Sequence, residues 1–287
     1  MSSREIDNLT GKFHIAWGRL SAILLLMIAA VAVLVPIVWL ILTSFKYYRD
    51  IIRPTFIFEW NIDNFKSLIK EDKDFILMFL NSIVISLATM VLCTLFSSAA
   101  AYSLLRLNWN RSASTFIRII LLSLEIIPSI TIIIPLYTIG IRTGLIDTRI
   151  FLIMIYTLFN APFVFFLMGS NLSQVPVELE ESGLIDGASR FTIFWKLVLP
   201  VTVPILMTGA LFSFICAWKE FLIGLSLTST PVSMTLNVKI AGFIQSYSVK
   251  YGEMAASATL GAIPGILLCI FTQKYIVSGI TQGAIKG

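Results

Sequence analysis

Charged residues are scarce in this chain. Only 13% of its 287 residues are Asp, Glu, Lys or Arg, whereas 57% are hydrophobic, and the mean hydropathy is +0.90. A soluble domain carries about 25% charged residues, so the composition excludes an ordinary soluble fold and predicts a membrane protein. The net charge of +5 comes from Lys and Arg residues scattered singly between apolar runs. That pattern indicates membrane topology and not nucleic-acid binding.

The residue types that build catalytic and metal sites are also few. The three cysteines, Cys93, Cys216 and Cys269, lie far apart inside apolar runs, which predicts neither a disulfide framework nor a metal site. The single histidine, His14, lies in the polar N-terminal tail. The sequence contains no G-x-x-x-x-G-K-[ST] loop for ATP. We therefore expect no catalytic residue, no metal and no cofactor bound by this chain, and a membrane enzyme is disfavoured.

Long uncharged intervals predict one all-α membrane domain, residues 20–278, because about 20 apolar residues cross the hydrocarbon core as a helix. Six spans are predicted, in residues 20–45, 75–105, 119–141 and 150–177, from about residue 200 onward, and in 254–273. The uncharged interval 221–238 is rich in Ser and Thr, and we interpret it as the end of the fifth span followed by an external loop. Six spans place both terminal tails, residues 1–19 and 279–287, on one side.

The Lys and Arg residues do not orient these spans. Ten of them lie in the segments grouped with the termini and ten in the segments on the opposite side. The positive-inside rule therefore predicts neither orientation.

A polar stretch, ELEESGLIDGASRFTIFWKLVLP, interrupts the membrane domain at residues 178–200. Its early acids favour the start of a helix. The apolar residues Leu184, Ala188, Phe191 and Trp195 then recur at helical spacing. Glycines at 183 and 187 weaken a continuous helix and allow a bend. The pattern predicts a two-helix surface loop within residues 171–200, and on these observations alone an ordinary interfacial amphipathic helix fits equally well.

The spacing of this stretch resembles a known family. From Glu181 the residues fit E-A-A, three residues, G, nine residues and I-x-L-P, with Gly187 as the Gly, Leu197 as the Ile, and Leu199 with Pro200 as the final pair. This is the pattern of the membrane subunits of binding-protein-dependent ABC importers. The flanking V-P-V-E-L and I-D-G-A resemble the carbohydrate-uptake branch that contains the maltose and trehalose permeases.

Further segments extend the resemblance over most of the chain. They are P-S-I-T-I-I-I-P-L at residues 128–136, C-A-W-K-E-F-L-I-G-L-S-L-T at 216–228 and G-I-T-Q-G-A-I-K-G at 279–287. Ser182 and Gly183 depart from the two alanines of the pattern, but both are small. The resemblance implies the type I ABC importer permease fold, with six transmembrane helices and a cytoplasmic coupling helix.

The resemblance also implies partners and an orientation. The loop would be cytoplasmic and would sit in a groove of an ATPase subunit, so both termini would be cytoplasmic in a prokaryotic cell membrane. The expected assembly has a second homologous permease, two ABC subunits that bind ATP and Mg, an extracytoplasmic sugar-binding protein and membrane lipid, but no nucleic acid. The implied coupling residues are Glu180, Glu181, Ser182, Gly183, Asp186, Gly187, Ala188, Leu197, Leu199 and Pro200. In the tail, Gly283, Lys286 and Gly287 would reach the ATPase interface.

Polar residues within the predicted spans are pathway candidates, because an ionisable group in a membrane is costly unless it faces a cavity or partner. Prolines such as Pro128 free backbone groups where a helix bends around a cavity. The candidates are Glu125, Pro128, Asn160, Trp218, Lys219 and Glu220. Lys219 and Glu220 could instead snorkel or form static pairs, and Arg118 could bridge to Glu125 through water or a lipid headgroup.

The expected cargo is a mono-, di- or oligosaccharide, and glycerol phosphate or a polyol is an alternative within the same family. An ion-coupled secondary transporter is the alternative from another class. It would need acidic or histidine relays in several spans and inverted repeats. Only Glu125 and Glu220 are available for such a relay.

Overall fold

The computed structural model describes residues 3–244 and 249–284, with side chains described for 20–244 and 249–274. This part of the chain is predominantly helical. The α-helices, in chain order, are α1 (Ser3–Ser44), α2 (Tyr48–Ile52), α3 (Asp63–Lys66), α4 (Lys73–Arg106), α5 (Arg111–Ile126), α6 (Ile133–Thr143), α7 (Arg149–Leu172), α8 (Val177–Ile185), α9 (Arg190–Ile193), α10 (Leu199–Val201), α11 (Val203–Lys219), α12 (Leu222–Leu227), α13 (Leu236–Ala241) and α14 (Tyr251–Ala284).

Four of these helices contain segments long and apolar enough to cross a bilayer unaided, among the residues that the structure describes. They are Leu20–Ser44, Lys73–Arg106, Arg149–Leu172 and Tyr251–Lys274, and they match the first, second, fourth and sixth predicted spans. Two further apolar segments are bent helix pairs, which brings the number of spans to six if each pair counts as one. The first helix begins at Ser3 and therefore includes most of the tail that the sequence assigned to residues 1–19.

The third predicted span, residues 119–141, is broken. Its two parts, Arg111–Ile126 and Ser129–Thr143, meet at an angle of 101°. Pro128 lacks a backbone amide and forces Ile127 into an extended conformation, with φ −71° and ψ 119°, so α5 ends there. Pro135 lies in the first turn of α6, where a missing amide breaks no hydrogen bond, so α6 continues past it.

The fifth predicted span is bent as well. Arg190–Val201 and Val203–Lys219 meet at 82°, at Thr202. Thr202 departs from helical geometry, with φ −91° and ψ 4°, and Pro204 follows in the first turn of α11. The straight part of this span therefore begins at Val203, three residues after the predicted position.

The chain divides into two compact units, residues 1–66 with 250–259, and residues 67–249 with 260–287. In the first unit, the segment after α1 folds around Lys46, whose side chain is only 1% exposed. The Lys46 ammonium donates to the Thr55 carbonyl at 2.8 Å and lies 4.1 Å from the Trp39 ring and 4.9 Å from the Phe58 ring. Two aromatic faces and one carbonyl thus replace water around a buried cation.

The core of the second unit is formed by α4, α7 and α11. Lipid tails are as apolar as leucine, so such helices associate through close packing and hydrogen bonds between small residues. The Ser97 hydroxyl donates to the Ala161 carbonyl at 3.0 Å, and a Cβ at Gly209 would lie 3.1 Å from Val164 Cγ1. The buried face of α4 accordingly includes a row of small or polar residues over about five turns: Ser82, Ser86, Thr89, Cys93, Ser97 and Ala101.

The Ser- and Thr-rich loop, residues 228–235, is fixed by Asp147. The Asp147 carboxylate accepts from the Ser229 amide at 2.8 Å, from the Thr230 amide and hydroxyl at 3.1 and 2.7 Å, and from the Ser233 hydroxyl. Burial raises the pKa of Asp147, but these hydrogen bonds outweigh it and lower the pKa from 3.8 to about 2. Asp147 also has a left-handed backbone, with φ 59°.

Asp147→Asn is expected to destabilise the second unit by about 1–3 kcal/mol at neutral pH, because charge-assisted hydrogen bonds become neutral ones. Asn tolerates the left-handed backbone, so only the charge changes. Since the folded-state pKa is depressed, the stabilisation is present above pH about 4 and is lost as pH falls towards 2. Thermal unfolding in detergent between pH 2 and 7 measures this, and a mutant with the wild-type pH profile would contradict it.

Candidate functional site

The polar stretch forms two short helices, α8 and α9, joined by a tight turn at residues 186–189. Gly187 lies in this turn with φ +80°, a conformation that L residues rarely adopt, and no heavy atom would come within 4 Å of a Cβ there. The requirement for glycine is therefore one of backbone conformation and not of space. The Ser189 hydroxyl then caps α9 by accepting from the Thr192 amide at 3.2 Å. These helices lie within the predicted coupling loop, residues 171–200, and we keep the name coupling loop for residues 177–200.

The coupling loop exposes one set of the predicted residues and buries another. Ile185 and Phe191, which are 86% and 72% exposed, flank the Gly187 turn with apolar surface. The helical spacing of apolar residues included Phe191 but not Ile185. The signal that could have identified Ile185 is its position at the end of α8, between Leu184 and Asp186. Five of the predicted coupling residues are exposed: Glu181, Ser182, Asp186, Gly187 and Pro200. Three are half-buried, namely Ala188, Leu197 and Leu199, and two are buried, namely Glu180 and Gly183.

Glu180, one of the predicted coupling residues, is buried against the rest of the protein. Its side chain is only 2% exposed and pairs with Arg106 Nε at the end of α4, at 3.0 Å. Arg190 lies 3.6 Å from the second carboxylate oxygen, to which the Tyr102 hydroxyl donates at 3.1 Å. Arg106 also donates to the Leu172 carbonyl at 2.7 Å. Glu180 therefore joins the coupling loop to α4, and through Arg106 to the end of α7.

Gly183 is buried for a steric reason. A Cβ at Gly183 would lie 3.0 Å from Leu197 Cδ1 and 3.1 Å from Ile193 Cγ1. The glycine thus allows α8 to approach the π-helical turn Phe194–Val198 closely. Gly183 does not bend α8, since positive φ among the described glycines occurs at Gly144 and Gly187. The sequence had assigned a bend to this pair of glycines, and the turn occurs at Gly187.

Three of the predicted pathway residues, Glu125, Asn160 and Glu220, line one cavity of about 270 Å³. The cavity lies beside the break at Pro128. Its remaining lining residues are Leu124, Ile127, Ser129, Tyr156, Phe159, Cys216 and Ile223. Residues from α5, α7, α11 and α12 thus converge from distant parts of the sequence on one polar space within the membrane-spanning segments.

Glu220 lies at the edge of this cavity, just after the end of α11. Its carboxylate accepts from the Ile223 and Gly224 amides at 2.8 and 3.0 Å, so it caps the N-terminus of α12. It also accepts from the Tyr156 hydroxyl at 2.7 Å. Asn237 donates to the Trp218 and Glu220 carbonyls at 2.7 and 3.1 Å. These contacts hold the interruption between α11 and α12 in one conformation.

Trp218 and Lys219 do not line this cavity. The Trp218 ring stacks on Phe214 at 5.6 Å and meets the edge of Phe79 at 6.0 Å. Its indole nitrogen donates to the Gly261 carbonyl at 3.1 Å, so contacts within the protein already occupy much of this predicted pathway residue. Lys219 is exposed at the end of α11. In the C-terminal tail, Gly283 belongs to α14, whereas Lys286 and Gly287 lie outside the described residues.

Comparison with known proteins places the chain in a family. The model of the binding-protein-dependent transport system inner membrane component matches residues 94–282. The trehalose transport system permease protein SugB of Mycobacterium tuberculosis is 32% identical over 260 residues, which are 88% of this chain and 93% of that protein. The trehalose/maltose transport system permease protein MalG of Thermococcus litoralis is 30% identical, over 94% of this chain and 97% of its own length.

The fold is shared with a solved structure of a bacterial ABC transporter involved in import of the acidic polysaccharide alginate. A chain of that structure superposes with a TM-score of 0.73 at 20% identity, covering 96% of this chain and 99% of its own. The family model covers well over half of the sequence, and the apolar helices agree with it. The chain therefore belongs to the binding-protein-dependent transport system inner membrane components, and it is a multi-pass membrane permease subunit of an ABC importer.

Proposed function

We propose that this permease imports a carbohydrate, and that the coupling loop is where ATP hydrolysis on a partner subunit drives it. The observation that carries the proposal is the contrast within the coupling loop. Glu180 is buried and bound to Arg106, whereas Glu181, Ile185 and Asp186 are exposed around the left-handed Gly187. The buried side of α8 is bound to α4 and its other side is exposed. Such a helix can transmit the movement of a docked partner to α4 as a rigid body.

The proposed assembly follows from the family and from this geometry. The coupling loop docks on an ABC ATPase, which binds ATP and Mg, so the loop and both termini are cytoplasmic. A second homologous permease completes the pathway with a second ATPase, and an external binding protein delivers the sugar. Closure of the ATPase pair would draw the coupling loops together and favour the outward-open state, and hydrolysis would restore the inward-open one. The tail residues Gly283, Lys286 and Gly287 would lie at the ATPase interface.

The carbohydrate cargo is supported by the relatives and by the cavity. Two relatives of this chain are named for transport of trehalose or of trehalose and maltose. The cavity offers carboxylate, amide and hydroxyl groups from Glu125, Asn160 and Ser129 in mixed apolar surroundings. Such groups bind sugar hydroxyls, and their apolar neighbours suit the CH faces of a sugar ring. Membership of the importer family disfavours the ion-coupled transporter considered from the sequence.

Copurification tests the coupling loop. Gly187→Asp places a new charge in the turn at modest backbone cost, because Asp tolerates the left-handed region. Glu181→Lys reverses an exposed charge on α8. The tagged wild-type chain is expected to recover a P-loop ATPase and a second permease from native membranes, and both variants are expected to lose at least about 90% of the ATPase, an affinity loss of tenfold or more.

A matched control separates docking from backbone strain. Gly144 is also left-handed, with φ +68° and no atom within 4 Å of a Cβ, but it caps α6 far from the coupling loop in sequence. Gly144→Asp should therefore recover the ATPase at the wild-type level. Equal loss of the ATPase from the Gly144 and Gly187 variants, or a wild-type chain purified alone as a stable species, would refute the assignment.

A further inference from the structure

The charges that line the cavity are of one sign. Its lining includes two carboxylates, Glu125 and Glu220, and no Lys or Arg among the described residues. Lys219, on α11, is exposed and does not line the cavity, but its charge acts on the Cys216 thiol, which does. The fold does not require two acids in this cavity. Glu125 lies near the end of α5 and Glu220 just after the end of α11, and a neutral residue could occupy either position.

The two carboxylates are engaged differently. Three donors already face Glu220, namely two amides of α12 and the Tyr156 hydroxyl. Glu125 has no hydrogen bond or ion pair within the described part of the chain and is exposed to the cavity near the end of α5. Glu220 therefore contributes mainly a fixed negative charge, whereas Glu125 is free to accept hydrogen bonds from a solute.

The surroundings strengthen the effect of both charges. Leu124, Ile127 and Ile223 line the cavity with apolar surface, and low-dielectric surface beside a carboxylate reduces the screening of its charge. A cleft of one charge with low-dielectric walls concentrates solutes of opposite charge and repels those of the same charge. Neutral hydroxyl groups are not repelled, and carboxylates accept hydrogen bonds from them.

We propose that this cavity is a charge filter that admits neutral or amino-bearing saccharides and rejects uronates and sugar phosphates, with Glu125 as its selective residue. The inference rests on the proposed carbohydrate pathway and narrows its cargo. It removes glycerol phosphate from the expected substrates and separates this chain from permeases that share its fold but serve acidic polymers.

Cys216 provides a reporter of the filter inside the cavity itself. Cys93 is fully buried and Cys269 is exposed. Every variant used in this assay therefore also carries Cys269→Ser, which leaves Cys216 as the accessible thiol among the three. The assembled transporter, purified with its partner chains, is treated with methanethiosulfonates of similar size that carry a trimethylammonium or a sulfonate group. Labelling rates are measured by mass spectrometry and divided by each reagent's rate with free 2-mercaptoethanol.

Lys219 opposes the carboxylates at this thiol, so the cationic reagent is expected to label Cys216 only about threefold faster than the anionic one. Glu125→Gln is expected to remove most of this preference. Glu71→Gln removes an exposed acid that does not line the cavity and should leave the preference unchanged. A Cys216→Ser protein gives the background rate.

A preference near one, a preference unaffected by Glu125→Gln, or a Cys216 that neither reagent reaches would each overturn the filter. None of these results depends on the coupling-loop variants or on sugar uptake. The charge filter could therefore fail while the proposed importer function stands, and the coupling-loop variants could retain the ATPase while the cavity still prefers cations.

Discussion

Arg106→Met is expected to lower the free energy of unfolding by about 3–5 kcal/mol, because it leaves the carboxylate of Glu180 buried without its closest cation. The Glu180 side chain is 2% exposed and that of Arg106 13%, so water replaces little of the lost interaction. Arg190, at 3.6 Å and about half exposed, compensates only in part. The carbonyls of Leu172 and Val175 also lose their donor. Unfolding of the purified protein in mixed micelles of increasing SDS fraction measures the loss.

A double-mutant cycle separates the pair from its surroundings. Arg106→Met with Glu180→Gln removes both charges, so the double variant should be more stable than Arg106→Met alone, although it carries one more substitution. Glu178→Gln, an exposed acid on the same helix, should change stability by less than about 0.5 kcal/mol. An Arg106→Met protein as stable as Glu178→Gln would show that the ion pair contributes nothing to the fold.

Glu220→Ala is expected to lower the free energy of unfolding by about 2–4 kcal/mol, because it removes a helix cap and leaves a buried hydroxyl without an acceptor. The Ile223 and Gly224 amides lose their acceptor, and so does the Tyr156 hydroxyl, whose residue is 2% exposed. Because these donors hold the interruption between α11 and α12, the cavity should lose its shape along with the stability. Thermal unfolding in detergent and sugar uptake by membrane vesicles should therefore fall together.

Two variants test this reasoning about Glu220. Glu220→Gln keeps one acceptor oxygen and the side-chain shape, so it should recover more than half of the loss. Glu125→Gln changes an acid in the same cavity that has no partner among the described residues, and it should unfold at the wild-type temperature within about 2 °C. If Glu220→Ala were no less stable than Glu125→Gln, the cap would be energetically unimportant.

Much of the membrane architecture followed from the sequence because charge is so costly in a bilayer. Uncharged intervals located the four long apolar segments within a few residues of their observed bounds, although α1 and α14 extend beyond theirs. Pro128 predicted a disturbance in the third segment, but not its 101° angle, because a proline specifies which hydrogen bond is missing and not how neighbouring helices fill the gap. The interval 221–238 gave no charge signal, so it was interpreted as the end of the fifth span followed by an external loop, and the separate short helices α12 and α13 were not predicted.

The sequence did not predict which of two adjacent residues of the same type is buried. Glu180 and Glu181 were both predicted to be coupling residues, yet one is buried against Arg106 and the other is exposed. The choice depends on where the end of α4 lies, which is a tertiary fact. Asp147 was missed for the same reason, since its partners are more than 80 residues away in the sequence. Resemblance located the coupling loop, but not the residues that hold it.

The break at Pro128 has a consequence for how the protein is made. A helix of 16 residues, the length of α5, is about 24 Å long, and the 11 residues of α6 give about 17 Å, whereas the hydrocarbon core is about 30 Å thick. Neither half is a good insertion signal for the translocation machinery. Ile117 and Leu121 of α5 pack against a cluster that includes Phe165 and Met168 of α7, which emerges later from the ribosome. Stable placement of the third segment therefore waits for the synthesis of its successor.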